Sequence, residues 1–292
     1  MFRTTLRNLA ARKLRLLTTS VAVVLGVAFM AGTLVLTDTI GRSFDDLFAD
    51  VNAGTDAYVR VESEVTGRMG DLRGRLDEAL VDTVASIDGV QAAQARIQGY
   101  AQILDDHGEP IGDTSGMGAP TYGTSWIQDD ELNPFDLAAG RAPARDGEMV
   151  IDRGAAELGS YAVGDTVGVL TQTGRHDFTI VGIATFGGTD SPAGATFAMF
   201  TEDVAQTVVT EPGKVDGIAV IAADGVEPAE LVDRIAAALP PGVEAITGDE
   251  LTAEEQHDLQ EGLSFFNTFL LAFAGIALFV GSFIIYNTFS IL

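Results

Sequence analysis

Leu16–Leu36 reads LLTTSVAVVLGVAFMAGTLVL, an uncharged run with basic residues before it and acidic residues after it. At about 1.5 Å rise per residue, such a run covers the roughly 30 Å hydrocarbon core of a bilayer. A cleaved signal peptide is the rival reading. Its apolar region would extend over about 7–15 residues and end at small residues. This run is longer, and Phe29-Met30-Ala31 makes a poor cleavage site. The stretch therefore predicts an uncleaved transmembrane helix over 16–37. A second apolar run, Leu263–Leu292, is also long enough to span, and residues 262–292 hold no charged side chain.

Charge sets the direction of both spans. Arg3, Arg7, Arg12, Lys13 and Arg15 precede the first run, whereas Asp38, Asp45, Asp46 and Asp50 follow it. This bias places the N-terminus in the cytoplasm and the segment after the first span outside. The second span returns to the cytoplasm with no basic stop signal behind it, which reads as a truncated chain. Residues 1–15 set Phe2, Leu6, Leu9 and Ala10 on one helical face among arginines, the pattern of an amphipathic helix on the inner leaflet. Small residues recur at four-residue spacing, Thr18, Ala22 and Gly26 in the first span and Ala277 and Gly281 in the second. Helices approach closely in lipid along such faces, although Gly and Ala are common in membrane helices in any case.

All 42 acidic residues lie between positions 38 and 261, against 12 of the 17 basic ones. Such a segment is soluble and repels polyanions, which argues against a nucleic-acid partner. The chain has no cysteine, so disulfides, thiolate metal sites and cysteine nucleophiles are excluded. Helical spacing continues past the first span through Leu36, Ile40, Phe44, Leu47, Phe48 and Val51. Gly248–Gly262 reads as a charged helix entering the second span, with Leu251, Leu259 and Leu263 on one side. The two helices predict a stalk in which Ile40, Phe44 and Leu47 pack against Leu251 and Leu259. Two ordinary surface helices are the alternative.

Between the stalk helices lie two similar units. Asp56–Glu62 reads as strand, a helix carries Leu76, Leu80, Val84 and Ile87, and Val90–Leu104 resumes as strand after Asp88-Gly89. The second unit has a strand at Gly217–Ala222, a helix opening near Pro228 with Val232, Ile235, Ala236 and Leu239 as its buried stripe, and a strand at Val243–Thr247. Residues 112–124, rich in Gly, Ser, Thr and Pro, read as an exposed loop. Short strands at Gly147–Asp152, Val163–Thr171 and Phe178–Ile183 then suggest an all-β insertion over about 125–190. The expected fold class is an α/β extracytoplasmic domain over 38–262, two β-α-β units with a small all-β insertion, carried between two transmembrane α-helices.

Patterns of reactive chemistry are sparse. Neither Lys13 nor Lys214 sits in a phosphate-cradling loop, Gly116 and Gly118 lack a third glycine, and there is no GxSxG elbow. His107, His176 and His257 are isolated; His107 sits in an acidic stretch that reads as a solvated hairpin turn. Asp129-Asp130-Glu131 lacks the EF-hand pattern and reads as a solvated loop, with Trp126 and Phe135 nearby as core. No catalytic residue, metal or cofactor is implied.

The segment LLAFAGIALFVGSFIIYNTFSIL, Leu270–Leu292, closely resembles the second span of FtsX/MacB-like ABC transporter permeases, especially the actinobacterial type. The start, LRNLAARKLRLLTTSVAVVLGVAFMAGTLVLTDTI, resembles their amphipathic helix, first span and stalk. Gly140-Arg141, Gly147–Asp152, Val163-Gly164-Asp165 and Val181-Gly182-Ile183 are similar to the β-rich insertion of the MacB-type periplasmic core domain, and the two β-α-β units would be its porter-like part. The departure is that the later spans and second half are missing. The resemblance implies a multi-pass plasma-membrane permease in a lipid bilayer, with a separate cytoplasmic ABC ATPase that hydrolyses ATP. Motion would pass through the stalk to extrude a protein, peptide or lipid substrate, or to activate a cell-wall partner. Two rivals stand beside it: a two-span sensor with a ligand-binding ectodomain, marked by a signalling domain after the second span, and an anchored extracytoplasmic enzyme, which the missing nucleophile and metal patterns disfavour.

Overall fold

A computed structural model describes residues 13–63, 65–67, 70–112 and 119–290. Contacts divide the chain into two units, Asp46–Glu255 on one hand and Met1–Asp45 with Gln256–Leu292 on the other. In chain order the elements begin with α1 (Lys13–Asn52), β1 (Ala57–Val61), β2 (Val65–Gly67), β3 (Gly70–Leu72), β4 (Leu76–Asp77), α2 (Ala79–Ala85), β5 (Val90–Arg96) and β6 (Gln98–Ile103). There follow β7 (Thr121–Ser125), β8 (Phe135–Gly140), β9 (Glu148–Asp152), α3 (Arg153–Gly159), β10 (Thr166–Thr171) and β11 (Gly174–Phe186). The chain ends with β12 (Thr196–Phe200), α4 (Glu202–Val208), β13 (Lys214–Val215), β14 (Gly217–Ala222), α5 (Pro228–Ala236), β15 (Val243–Thr247) and α6 (Gly248–Ser290).

Within Asp46–Glu255, four strands form an antiparallel sheet in the order β15-β1-β14-β5. Alternation along β1 turns Ala57 and Val59 into the core and leaves Tyr58 and Arg60 on the other face. Helices α2 and α5 supply Val84, Leu231 and Ile235 to the same core, all fully buried. Burying one such leucine contributes about 2 kcal/mol. Asp88-Gly89, with Gly89 at φ +98°, carries the chain from α2 to β5, and Pro228 occupies the first turn of α5, where its missing N–H goes unused.

The second sheet has seven strands in the order β10-β6-β7-β12-β9-β11-β8, and β10 also pairs with β11. Six strands thus close into a ring, with β8 added outside. The 13-residue β11 makes closure possible: its first half pairs with β10 and its second half with β9 and β8. Ile103, Met149, Ile151, Val169, Ile180 and Phe200 join the core shared with the first sheet. Trp126, Phe135, Val150, Phe197 and Met199 form a second cluster in which Trp126 and Phe135 stack at 6.3 Å. Both aromatics are core residues, as the sequence suggested.

Several expectations need correction. Leu76 lies in β4, where it pairs with Val215, and α2 starts only at Ala79. Val90–Leu104 is two strands in two sheets, divided at buried Ile97, whose carbonyl accepts from Ser125 N (3.1 Å) and Thr124 Oγ1 (2.8 Å). The β-rich region is neither small nor all-β: it takes in β6, β7 and β12, beyond 125–190, and carries α3 and α4. Part of the supposed loop at 112–124 is strand β7. Gly123 permits this, because a Cβ there would lie 2.6 Å from Ala101 Cβ and 2.8 Å from Val209 Cγ2. On α5 the buried pair is Leu231 and Ile235, with Val232 half-buried and Ala236 exposed; Leu239, half-buried, lies beyond the end of the helix.

In the other unit, α1 runs unbroken to Asp45 and beyond, and α6 continues from Gln256 to Ser290. Among the described residues, Val24–Asn52 is long and apolar enough to cross a membrane by length and composition, with mean hydropathy 1.7. Of its apolar window, 12% is buried. A Cβ at Gly26 would meet nothing within 4 Å. The surroundings of Ala22, Ile40, Leu259, Ala277 and Gly281 lie outside the described residues, as do Phe2, Leu6, Leu9 and Ala10 of the expected amphipathic segment.

Candidate functional site at the helix roots

Helix α1 enters the Asp46–Glu255 unit with Leu47 and Val51 buried at 6% and 8% exposure. Their seat is Gly187, at φ +50° just after β11, where a Cβ would lie 2.5 Å from Leu47 Cδ1 and 3.0 Å from Val51 Cγ1. Phe44, the expected neighbour one turn earlier, is half-buried. The turn after α1 presses on another: a Cβ at Gly54 would lie 1.9 Å from Glu131 O. Asp56 then starts β1, its Oδ2 accepting from Ala222 N at 2.7 Å.

Helix α6 begins directly at the end of β15. Thr247 N donates to Glu250 Oε2 (3.0 Å) and Glu250 N to Thr247 Oγ1 (3.2 Å), a reciprocal capping box of the Thr-x-x-Glu type. Gly248 is pressed against the other root. Its N–H donates to Asp56 O at 3.1 Å, and a Cβ would fall 1.7 Å from Thr55 O. Leu251 is buried at 5% exposure, and Asn52 Nδ2 donates to Glu255 Oε2 at 2.7 Å. In the other unit, Gln256 Nε2 donates to Asp45 O at 3.1 Å. The structure thus puts Leu47 and Leu251 in the core of one unit, with Gly187 as the neighbour that meets Leu47.

Beside these contacts sits an ionic cluster. Arg60 and Glu244 are direct cross-strand partners on β1 and β15, with Nε 2.9 Å from Glu244 Oε1. Arg60 Nη1 lies 2.6 Å from Glu254 Oε2 on α6. Arg73 adds a second cation, 2.7 Å from Glu244 Oε1 and 3.8 Å from Glu254 Oε2, and donates to Val61 O at 3.1 Å. The Arg60 side chain is only 8% exposed. Burial works to lower its pKa, but the hydrogen bonds and charges of Glu254 and Glu244 outweigh that and leave it raised.

Other polar features carry less. An open cleft of about 510 Å³ is lined by Arg73, Gly74, Arg75, Glu211, Lys214 and Asp216. Its cations are paired, Arg75 with Asp216 at 3.0 Å and Lys214 with Asp77 at 2.5 Å. Asp105 Oδ1 accepts from His107 N and Glu109 N, making the hairpin turn expected there, and Asp129 Oδ1 accepts from Glu131 N. Among the described residues no group of three or more His, Cys, Asp or Glu side chains could hold a metal ion. Asp152 is fully buried as the N-cap of α3, accepting from Ala155 N and Phe197 N; burial pushes its carboxyl up to about 6 against the pull of those amides. The arrangement at the helix roots is built for position, with two long helices fastened to neighbouring strands of one sheet.

The sequence matches the family of the MacB-like periplasmic core domain over residues 16–238. The chain belongs to that family. A MacB-like periplasmic core domain implies a membrane protein of the ABC transporter permease type with an extracytoplasmic domain, and permeases of the MacB/FtsX type work with a cytoplasmic ATPase. Among solved structures, the chain is similar to the periplasmic region of MacB from Actinobacillus actinomycetemcomitans, at 14% identity and TM-score 0.47, covering 68% of this chain and 92% of that one. It is also similar to the extracellular domain of the noncanonic ABC-type transporter YknZ from Gram-positive bacteria, at 12% identity and TM-score 0.44, covering 66% of this chain and 99% of that one. Among curated proteins, none matches the sequence. The match extends from the first apolar run to just past α5, so it takes in the second sheet and the first sheet apart from β15.

Proposed function

We propose that this chain is a permease subunit that couples ATP hydrolysis by a partner ATPase to movement of its extracytoplasmic domain. It crosses the plasma membrane at residues 16–37 and 263–292, with the N-terminus in the cytoplasm and residues 38–262 outside. The chain hydrolyses no ATP itself. Closure of the ATPase displaces the membrane helices, and α1 and α6 deliver that displacement to the first sheet. The moving domain then drives export of a peptide, protein or lipid, or activates a cell-wall partner.

One observation carries this reading: α1 and α6, which continue into the apolar segments, are rooted in adjacent strands and meet where Gly248 N donates to Asp56 O and Asn52 Nδ2 donates to Glu255 Oε2. Coupling through a packed element needs such continuity. A reporter active only in the cytoplasm tests the arrangement. Fused after Leu292 it should be active, and fused after Gly140 silent; activity at Gly140 would overturn the orientation and the coupling built on it.

A further inference from the structure

We propose that Arg60, held between Glu244 and Glu254, is the joint through which displacement of α6 reaches the four-stranded sheet; this rests on the coupling reading above. Arg60 is a positioning residue, and its geometry gives it the role. Its planar fork spends Nε on Glu244 of β15 and Nη1 on Glu254 of α6, at 2.9 and 2.6 Å. One rigid group therefore fixes helix, edge strand and inner strand together, which a point-charge lysine cannot do. The apolar contact at Leu251 tolerates sliding. The Arg60–Glu254 contact does not, because a shift of α6 by one residue's rise, about 1.5 Å, carries it past hydrogen-bonding distance.

Burial makes the joint discriminating. With its side chain 8% exposed, Arg60 has little water to take over from a departed carboxylate. Arg73 supplies a second position. Its Nη2 stands 3.8 Å from the same Glu254 Oε2 that lies 2.6 Å from Arg60, while Nη1 holds Glu244 at 2.7 Å. A moving α6 can pass Glu254 from Arg60 toward Arg73 without exposing an unpaired charge. Exchange of Glu254 between these two cations is the two-state element that transmission requires.

The test uses the complete permease with its ATPase in nanodiscs. Amide hydrogen exchange is compared without nucleotide and with ATP plus vanadate. In the natural protein, nucleotide should change exchange both over Gly248–Gln256 and in β1 and β15. With Glu254→Gln the change over Gly248–Gln256 should persist, while that in β1 and β15 falls at least tenfold. Arg60→Lys should do the same. Arg60→Met combined with Glu254→Leu leaves the Arg73–Glu244 pair intact, fills the space of buried Arg60 and strands no charge of the removed pair, so it should fold and still lose the response in β1 and β15. An unchanged nucleotide response of β1 and β15 in these variants overturns the joint, and so does a general loss of protection in both sheets, which marks a purely structural role. No nucleotide response anywhere in the sheets of the natural protein overturns the coupling reading itself.

Discussion

Gly248→Ala tests the packing of the helix roots with a single methyl group. Its Cβ would lie 1.7 Å from the backbone oxygen of Thr55 and 2.9 Å from its carbonyl carbon. Neither is the end of a flexible side chain, so α6 and the start of β1 must separate by more than 1 Å. Overpacking of this kind costs about 1–3 kcal/mol. Separation also weakens the Gly248 N–H bond to Asp56 O, worth about 1 kcal/mol. Alanine returns about 0.5–1 kcal/mol through helix propensity and a less flexible unfolded chain. The net expectation is a loss of about 2 kcal/mol. Trp126, the only tryptophan and 7% exposed, reports unfolding of the Asp46–Glu255 unit by fluorescence. At a urea slope of about 2 kcal/mol per molar the midpoint should fall by about 1 M. Gly41→Ala, where a Cβ meets nothing within 4 Å, should show no loss. A Gly248→Ala chain as stable as the natural one would refute the close approach of the two roots.

Three further outcomes follow from particular side chains. The folded pKa of Asp152, about 6, lies above its ordinary 3.8, so the protonated form is the stabilising one. That contribution is complete below about pH 4 and is lost as pH rises through about 6, a change of about 3 kcal/mol. Trp126 unfolding curves at pH 4.5 and 7.5 should show a smaller pH difference in Asp152→Asn; an equal difference would contradict it. Phe44→Asp should cost about 2 kcal/mol at this half-buried position. In the assembled permease it should retain ATP hydrolysis while abolishing nucleotide-driven exchange changes in the first sheet. Unchanged exchange changes in a normally expressed variant would make the segment a solvated linker. The purified chain by itself should show no saturable ATP binding in calorimetry, because neither lysine lies in a phosphate-cradling loop.

Local signals in the sequence led to many of the right elements. The strand formers of Asp56–Glu62, the punctuation at Asp88-Gly89 and the proline opening α5 all act within a few residues, and each stands where its chemistry put it. Val90–Leu104 could not be divided by inspection, because the change of sheet at Ile97 is made by Thr124 and Ser125 from a distant strand. The exchange of Leu231 for Ala236 on α5 likewise depends on how the helix is turned against its sheet. At the helix roots, Leu47 and Leu251 carried a visible helical period, whereas Gly187, which seats Leu47, offered none. Arg60 and Glu244 are 184 residues apart, and only strand pairing brings them together. A further local signal is legible there: Thr247-x-x-Glu250 before a helical period is a capping box and marks the start of α6.

On the proposed coupling, nucleotide in the cytoplasm moves the helix roots outside the membrane. The chain has no cysteine, so exposed Ala49 and Ala253 can be changed to cysteine and spin-labelled without a competing thiol. Pulsed electron resonance then measures the distance between the roots of α1 and α6 in the permease assembled with its ATPase. The distance distribution should shift between the nucleotide-free state and the state trapped with ATP and vanadate, with the shift abolished by Phe44→Asp. A single distribution, the same in both states, would contradict that coupling.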